Sequence, residues 1–463
     1  RDFLPLCHLD EASDVELGTH PSPRLSVDHS RQTRTARRVL STLIDSERTA
    51  VAVERIVDRP RYLERIRPFV DVPVMKILTG VRRCGKSTLL DMLADEVVAK
   101  NPGASMVRLN LESSEGLTIR TAPALMEHLA VRLPDKRART YVFLDEVQQV
   151  LGWENVVNAL RVDWNCDLYL TGSNSTMLAS ELSSHLAGRF VEFPIRPLSF
   201  REFVELHRPH GVSSAETREL FEHYLVLGGF PLLKYFDLDS QASVQYLDSL
   251  LDTVVVRDVL EHFAIRDVGM FRRILRYCVG NVGRTFSAQS VSRYLKSEGR
   301  AVSVDTVLNY LQHCAEVYLV DKVPRFDVVG KQTLRADEKY YVVDQGLRTA
   351  LGFDNRADIE LALENIVYQE LRSRGCTVHV GQRDSREVDF IAQRGAATRY
   401  IQVSYLLADK ATVEREFGVL ESILDNHPKT MVSMDPVSRG RNGIEHVNIV
   451  DFLLEDPLAE FNG

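Results

Sequence analysis

The stretch Gly80-Val81-Arg82-Arg83-Cys84-Gly85-Lys86-Ser87 constrains the fold more than any other part of this 463-residue chain. It is a complete GxxxxGK[ST] phosphate-binding loop. Val74-Met75-Lys76-Ile77-Leu78-Thr79 before it reads as a short buried strand, and Ser87-Thr88-Leu89-Leu90-Asp91-Met92-Leu93 after it reads as the start of an amphipathic helix. Strand, loop and helix are the context the motif needs. The glycines let backbone N–H groups turn inward around phosphate oxygens, at the positive end of the helix dipole. Lys86 is expected to reach the β- and γ-phosphates, and the Ser87 hydroxyl to complete a Mg²⁺ shell. Gly80, Arg82, Arg83, Cys84, Gly85, Lys86, Ser87 and Thr88 are therefore the expected ATP-binding residues.

A second element completes this site. Tyr141-Val142-Phe143-Leu144 is an apolar strand ending in Asp145-Glu146, which puts two acids at the carboxyl edge of a sheet, where open α/β folds bind ligands. Asp145 is expected to hold Mg²⁺ with Ser87, and Glu146 to polarise the attacking water. A further apolar strand ends in Thr171-Gly172-Ser173-Asn174-Ser175, a polar tip suited to orienting that water. Apolar runs at Met75–Thr79, Met106–Leu111, Tyr141–Leu144, Leu168–Thr171 and Phe190–Phe193 alternate with helical stretches at Ser87–Ala99 and Ala122–Arg132. Such alternation implies a parallel sheet covered on both faces.

Composition narrows the class. The chain is 44% hydrophobic and 26% charged, with no apolar run near the roughly 18 residues that span a bilayer. Its six cysteines are scattered without metal-ligand spacing, so a reducing cytoplasmic setting is expected. A net charge of −8 hides two basic islands, residues 24–67 and 265–340, each with five more basic than acidic residues. Local nucleic-acid contact and a basic solvated face both fit that pattern.

Taken in order, the loop with its doubled arginine, Leu144-Asp145-Glu146-Val147-Gln148, Thr171-Gly172-Ser173-Asn174-Ser175, Leu186-Ala187-Gly188-Arg189, Pro197-Leu198-Ser199-Phe200 and Gly228-Gly229-Phe230-Pro231 carry a family resemblance. So do Glu387-Val388-Asp389-Phe390, Tyr400-Ile401-Gln402-Val403-Ser404 and the Gly443–Leu453 stretch. Over residues 55–455 the chain resembles the prokaryotic AAA-type ATPases, related to archaeal and signal-transduction ATPases, that join an AAA-type domain to a C-terminal domain of unknown function. The resemblance implies that Asn174 is a sensor and that Arg189 is a charge-stabilising finger, acting in cis or from a neighbouring subunit of an oligomer. It also implies that Pro231 lies in the turn where a helical lid meets the nucleotide.

Two further segments carry chemistry. Phe286–Leu295 and Val304–Leu311 read as short amphipathic helices joined by a turn at Gly299, the second capped by Ser303 and followed by strand-like Val317–Val320 and Lys322–Phe326. A winged helix-turn-helix of this kind either meets DNA, with Arg293, Lys296, Arg300, Lys322 and Arg325 on phosphates, or serves as a protein-contact module. Beyond it, Glu364 on a helix, a strand at Cys376–Val380, Asp389 and Gln402-Val403-Ser404 have the layout of a PD-(D/E)xK nuclease core. That chemistry wants charged oxygen ligands and a lysine. Here Gln402 is a neutral ligand, Ser404 stands in the lysine's place, and Lys410 is the nearest substitute in sequence.

The expected fold is α/β, a P-loop NTPase parallel sheet with a helical lid, then a winged helix and a degenerate nuclease-like α/β domain. The expected boundaries are a basic extension at 1–54, an ATPase core at 55–198, a lid at 199–264, a winged helix at 265–352 and the nuclease-like domain at 353–463. The expected activity is Mg²⁺-dependent ATP hydrolysis that moves the later modules, on DNA or on a protein partner. The alternatives are an ATP-gated scaffold with negligible turnover and a DNA nuclease.

Overall fold

The computed structural model of the chain describes residues 56–174, 188–208, 213–328, 330, 332–383 and 386–455. The chain divides into Arg1–Ile56 and Val57–Gly463, and the architecture below is that of the second unit. The basic extension with its expected helix near Thr35–Ile44, Ser175, and the Leu186-Ala187 half of the Gly-Arg element lie outside the described residues.

Helix α1 (Pro60–Ile66) precedes strand β1 (Met75–Thr79), helix α2 (Lys86–Lys100), β2 (Ser105–Asn110), α3 (Ala122–Arg132), β3 (Thr140–Asp145), α4 (Trp153–Asp163), β4 (Cys166–Gly172) and β5 (Phe190–Pro194). The apolar runs of the sequence form one parallel sheet in the order β2-β3-β4-β1-β5. Every residue of β1 and of β3 is buried, as a parallel sheet covered by helices on both faces requires. Lys76 in the middle of β1 is tolerated because Asp167 on β4 neutralises it. Since β4 lies between β1 and β3, and strands stand about 4.8 Å apart, the loop after β1 and the acids after β3 face each other across about 10 Å. That gap is the crevice in which the site lies.

Helices α5 (Phe200–His207) and α6 (Ser214–Leu227) follow, each started by a capping box, Ser199 with Glu202 and Ser213 with Glu216. Then come α7 (Ser240–Thr253), a π-helix (Val254–Glu261), α8 (Val268–Gly280), α9 (Ala288–Ser297) and α10 (Val304–Glu316). Ser303 caps α10 by accepting the Thr306 N–H at 3.0 Å, and Gly299 takes a left-handed φ of 78° in the turn before it. Next are β6 (Val320–Asp327), β7 (Gln332–Val342), α11 (Gly346–Ala350), α12 (Ile359–Ser373), β8 (Thr377–Arg383), β9 (Arg386–Arg394), β10 (Ala397–Val403), α13 (Lys410–Glu421), β11 (Lys429–Ser433), β12 (Glu445–Asn448) and α14 (Ile449–Leu454).

These last strands make a mixed sheet in the order β12-β11-β10-β9-β8-β6-β7. Of the two strands expected to form a wing, Lys322–Phe326 lies in β6, whereas residues 317–319 form the turn after α10 and β6 pairs instead with β7; through β6 this hairpin is hydrogen-bonded to β8, with Arg325 opposite Val380. The expected cut between residues 352 and 353 therefore separates two hairpin strands from the sheet they complete. A sheet edge gains by such pairing, because its main-chain donors and acceptors are satisfied.

The join to the parallel sheet is polar and buried. Arg196, just after β5, pairs with Asp321 of β6 at 2.7 Å, and Arg61 of α1 pairs with Glu370 of α12 at 2.8 Å. Asp344 lies under the turn after α6, accepting the Gly229 N–H at 2.7 Å and the Gly346 N–H at 2.8 Å. Burial pushes its carboxyl up to about 7 against the pull of those two donors. Gly228, at φ 75°, has no room for a side chain, because a Cβ there would stand 1.7 Å from Asp344 Oδ1.

Candidate functional site

Backbone conformation makes the phosphate loop. Gly80 (φ 140°), Gly85 (φ 100°) and Arg83 (φ 68°) turn the chain so that α2 begins at Lys86. A Cβ on Gly80 would lie 2.1 Å from the Ile195 carbonyl, so β5 holds the loop closely against the sheet. Cys84 is buried beneath the loop and its thiol donates to the Ile195 carbonyl, 3.3 Å away. Any part Cys84 takes in binding is thus left to its backbone. From the other side, buried Arg59 donates to the Cys84 carbonyl (3.1 Å) and the Arg196 carbonyl (2.9 Å) while pairing with Glu202 (3.0 Å). Burial works against its charge, and Glu202 more than offsets that.

Arg59 was not legible as a loop support, since nothing in its local sequence marks it. Arg59→Lys keeps the charge but loses the forked donor that spans Cys84, Arg196 and Glu202. It is expected to lower stability by about 1–2 kcal/mol, read as a lower denaturant midpoint with an unchanged slope.

Between the loop and the turn after α6 lies a cavity of about 380 Å³. Arg82, Arg83, Gly85, Lys86, Ser87 and Thr88 line its loop side, Asp145 and Glu146 its sheet side, and Pro231 the side of the turn after α6. Asn110, Glu112, Lys234 and Tyr235 line it too and carried no sequence signal. Gly80 and Cys84 shape the loop without lining the cavity.

Lys86 is 3% exposed and its ammonium donates to the carbonyls of Gly80 (3.0 Å) and Val81 (3.3 Å), with Glu146 Oε1 3.6 Å away. Asp145 accepts from Asn110 Nδ2 (2.9 Å), from the Thr171 hydroxyl and from Ser87. Burial holds its carboxyl above the usual carboxylate range, opposed by those hydroxyl donors. The same Thr171 hydroxyl accepts the Glu146 N–H at 2.8 Å, so one side chain at the end of β4 fixes both acids. Glu146 has a left-handed φ of 56°, uncommon outside glycine and concentrated at functional sites. Its second carboxylate oxygen accepts from Gln148 Nε2.

Two expected catalytic residues lie elsewhere. Asn174 is buried and lines a second cavity of about 220 Å³, beside Ser173 and Arg82. Arg189 sits at the opposite end of the sheet from the loop. Its carbonyl accepts the Met75 N–H at the start of β1, and five residues of strand, about 16 Å, separate it from Gly80. That span exceeds the reach of an arginine side chain, which of the two alternatives disfavours action in cis.

The second constellation comes together around a residue the sequence did not single out. Glu364 on α12, Asp389 on β9 and Gln402 on β10 converge as expected: Asp389 accepts the Val403 N–H (2.8 Å) and Gln402 Oε1 accepts the Asp389 N–H (3.2 Å). Lys339 of β7, 2% exposed, sends its ammonium into this group, 2.8 Å from Glu364 and 2.6 Å from Glu387. The Tyr341 hydroxyl donates to Glu364 at 2.6 Å. Lys410, the substitute considered from sequence, is exposed at the start of α13. The Gln402 amide is spent on Glu416 (2.9 Å), and among the described residues no group of His, Cys, Asp and Glu is arranged to hold a metal ion.

Of the basic residues expected on DNA phosphates, Arg293, Lys296 and Arg300 are exposed on or just after α9. Arg325 is buried against Glu387 (2.7 Å), and Lys322 pairs with Glu338 (2.8 Å). Among the described residues no helix is long and apolar enough to cross a membrane.

Comparison with known proteins agrees with the first site. Residues 73–204 match a family model described as an AAA domain, and residues 218–358 match one described as a domain of unknown function. An uncharacterized protein of Haemophilus influenzae is 33% identical over 406 residues, covering 86% of this chain and 99% of its own length. The uncharacterized protein MJ1544 of Methanocaldococcus jannaschii is 27% identical over 388 residues, covering 81% and 85%. Among solved structures, the Aeropyrum pernix ORC1 protein in complex with DNA aligns over 66% of this chain and 94% of its own at 12% identity. Its TM-score of 0.28 is too low to support any inference.

Proposed function

This chain belongs to the same family as the Haemophilus influenzae protein and carries an AAA domain, and from that premise we propose that it binds ATP with Mg²⁺ and hydrolyses it. The observation that carries this reading is the facing pair across the crevice, with the buried Lys86 ammonium on the loop and Glu146 on the sheet 3.6 Å from it. The donor set suits the ligand: backbone N–H groups and a lysine for phosphate oxygens, with Ser87 and Asp145 as hard oxygen donors for Mg²⁺. Bound Mg²⁺ supplies charge neutralisation of the phosphate oxygens.

The chain's own residues do the rest. Lys86 exchanges the Gly80 and Val81 carbonyls for phosphate oxygens, which releases it from Glu146. Glu146 then accepts a proton from water held at the cavity edge, and Thr171 keeps that carboxylate in register with Asp145. Asn174 orients the water or senses the γ-phosphate, and Arg189 serves a neighbouring copy of the chain. Nucleotide state passes to the later helices and to the C-terminal sheet through Arg59, Arg196 and Asp344. The Glu364–Asp389 group works as a folded scaffold without cleaving strands, because Lys339 takes the place of a metal there.

Phosphate release by the full chain with ATP and Mg²⁺ tests the enzyme reading. Release that stops when Mg²⁺ is chelated is expected, and nucleotide binding with no release would leave the ATP-gated scaffold in its place. A DNA substrate incubated with Mg²⁺ or Mn²⁺ is expected to stay intact; cleavage lost in Asp389→Ala would overturn the scaffold reading of the C-terminal group.

A further inference from the structure

We propose that Arg82 distinguishes ATP from ADP, and that in turning to the third phosphate it releases the π-helix Val254–Glu261. The inference rests on the reading that the cavity takes ATP. Arg82 is 9% exposed and belongs to the wall of both cavities, the one beside Lys86 and the one beside Asn174. Its guanidinium donates from Nε and Nη2 to the two carboxylate oxygens of Asp258, both at 3.2 Å, and from Nη1 to Glu112 at 3.2 Å. Asp258 and Glu112 more than offset the cost of burying the charge.

Three bonds of 3.2 Å are long for charge-assisted contacts, which run nearer to about 2.7–2.9 Å. Arg82 is held there without being locked. A forked guanidinium matches phosphate oxygens as well as it matches a carboxylate, and the γ-phosphate brings more negative charge than either partner. ADP lacks that group. A ligand shifts a conformational equilibrium only through contacts that differ between states, and Arg82 is a loop side chain hydrogen-bonded directly to the π-helix.

The other end of the tie is unusual. π-helices are rare and recur at functional sites, since the wider turn costs hydrogen-bond geometry and packing. This one continues α7 without a break, buries Val254, Val255, Val259 and Leu260, and presents Asp258 to the loop. Asp258 is itself 9% exposed at its side chain. Once Arg82 leaves, its carboxylate loses the guanidinium bonded to both of its oxygens, an unfavourable change that a shift or rewinding of the turn relieves. The loop's choice of partner and the shape of residues 254–261 are then two aspects of one equilibrium.

The test uses the full chain with Mg²⁺, comparing affinities for ADP and for AMPPCP, the methylene-bridged ATP analogue, and following amide hydrogen exchange in residues 254–261. In wild type, exchange there is expected to be faster with AMPPCP than with ADP. Arg82→Ala is expected to lose about tenfold or more in AMPPCP affinity, with a much smaller loss for ADP, and to remove the exchange difference. Asp258→Asn frees Arg82 and is expected to move the affinity ratio toward AMPPCP. Equal losses for both nucleotides in Arg82→Ala, or equal exchange with both in wild type, would overturn the proposal while leaving ATP binding intact. Failure of wild type to bind either nucleotide would overturn the ATP reading and this one with it.

Discussion

Glu146→Gln is expected to leave nucleotide affinity unchanged or raised and to lower ATP turnover by about 10²–10⁴-fold, the contribution of a positioned general base. Glutamine fills the same volume and keeps the backbone N–H that donates to Thr171 at 2.8 Å, so the turn at φ 56° retains its anchor. What it loses is the basic oxygen, together with the charge 3.6 Å from Lys86. Releasing Lys86 from that partner leaves it freer to meet phosphate, which is why binding is not expected to fall. Calorimetric titration with AMPPCP and steady-state phosphate release separate the two effects. An undiminished rate in Glu146→Gln would remove Glu146 from the role of base, and near-zero rates in both proteins would favour a nucleotide-gated scaffold.

The first half of the fold and its site were legible because their signals are local. A GxxxxGK[ST] loop after an apolar run and an apolar strand ending in two acids each lie within ten residues, and the period of the apolar positions placed strands and helices between them. Lid residue Pro231 came from resemblance and does line the cavity. What was not legible depends on pairs far apart in sequence. Arg59 meets Glu202 across 143 positions, Arg82 meets Asp258 across 176, and Arg196 meets Gln369 across 173. No periodicity marks a polar partner at that distance. Arg189 shows another limit: the motif that nominated it does not say which end of β5 it occupies, and only its hydrogen bond to Met75 does. Of the two wing strands read from the sequence, Lys322–Phe326 lies in β6, but residues 317–319 form a turn with Tyr318 at φ 58°, and the pairing of β6 with β8 is a property of the sheet, which sequence pattern does not specify.

Lys339→Met is expected to destabilise the protein by about 3–5 kcal/mol at neutral pH, because it strands buried carboxylates that the ammonium neutralises. Lys339 is held in its charged form mainly by Glu364, with Asp389 and Glu387 adding to it, against a large cost of burial. Methionine matches its length and apolar stem, so packing changes little and the loss is electrostatic. The pH dependence has a definite sign. Asp389 already sits well above the usual carboxylate range, first because it is buried and next because Glu364 is near, and Lys339 is what pulls it down. Without Lys339 its folded-state value rises further above the unfolded one. A carboxyl shifted in that direction destabilises the fold while ionised, and the deficit disappears as pH falls through the folded value toward the unfolded one. The gap between wild type and Lys339→Met should therefore widen as pH rises through the folded value and close in mild acid, read from denaturant midpoints across that range. Lys339→Arg serves as a control that keeps the charge. If Lys339→Met loses the same stability at every pH, the residue acts through packing alone, and the account of Lys339 as the cation that stands in for a metal among Glu364, Glu387 and Asp389 is wrong.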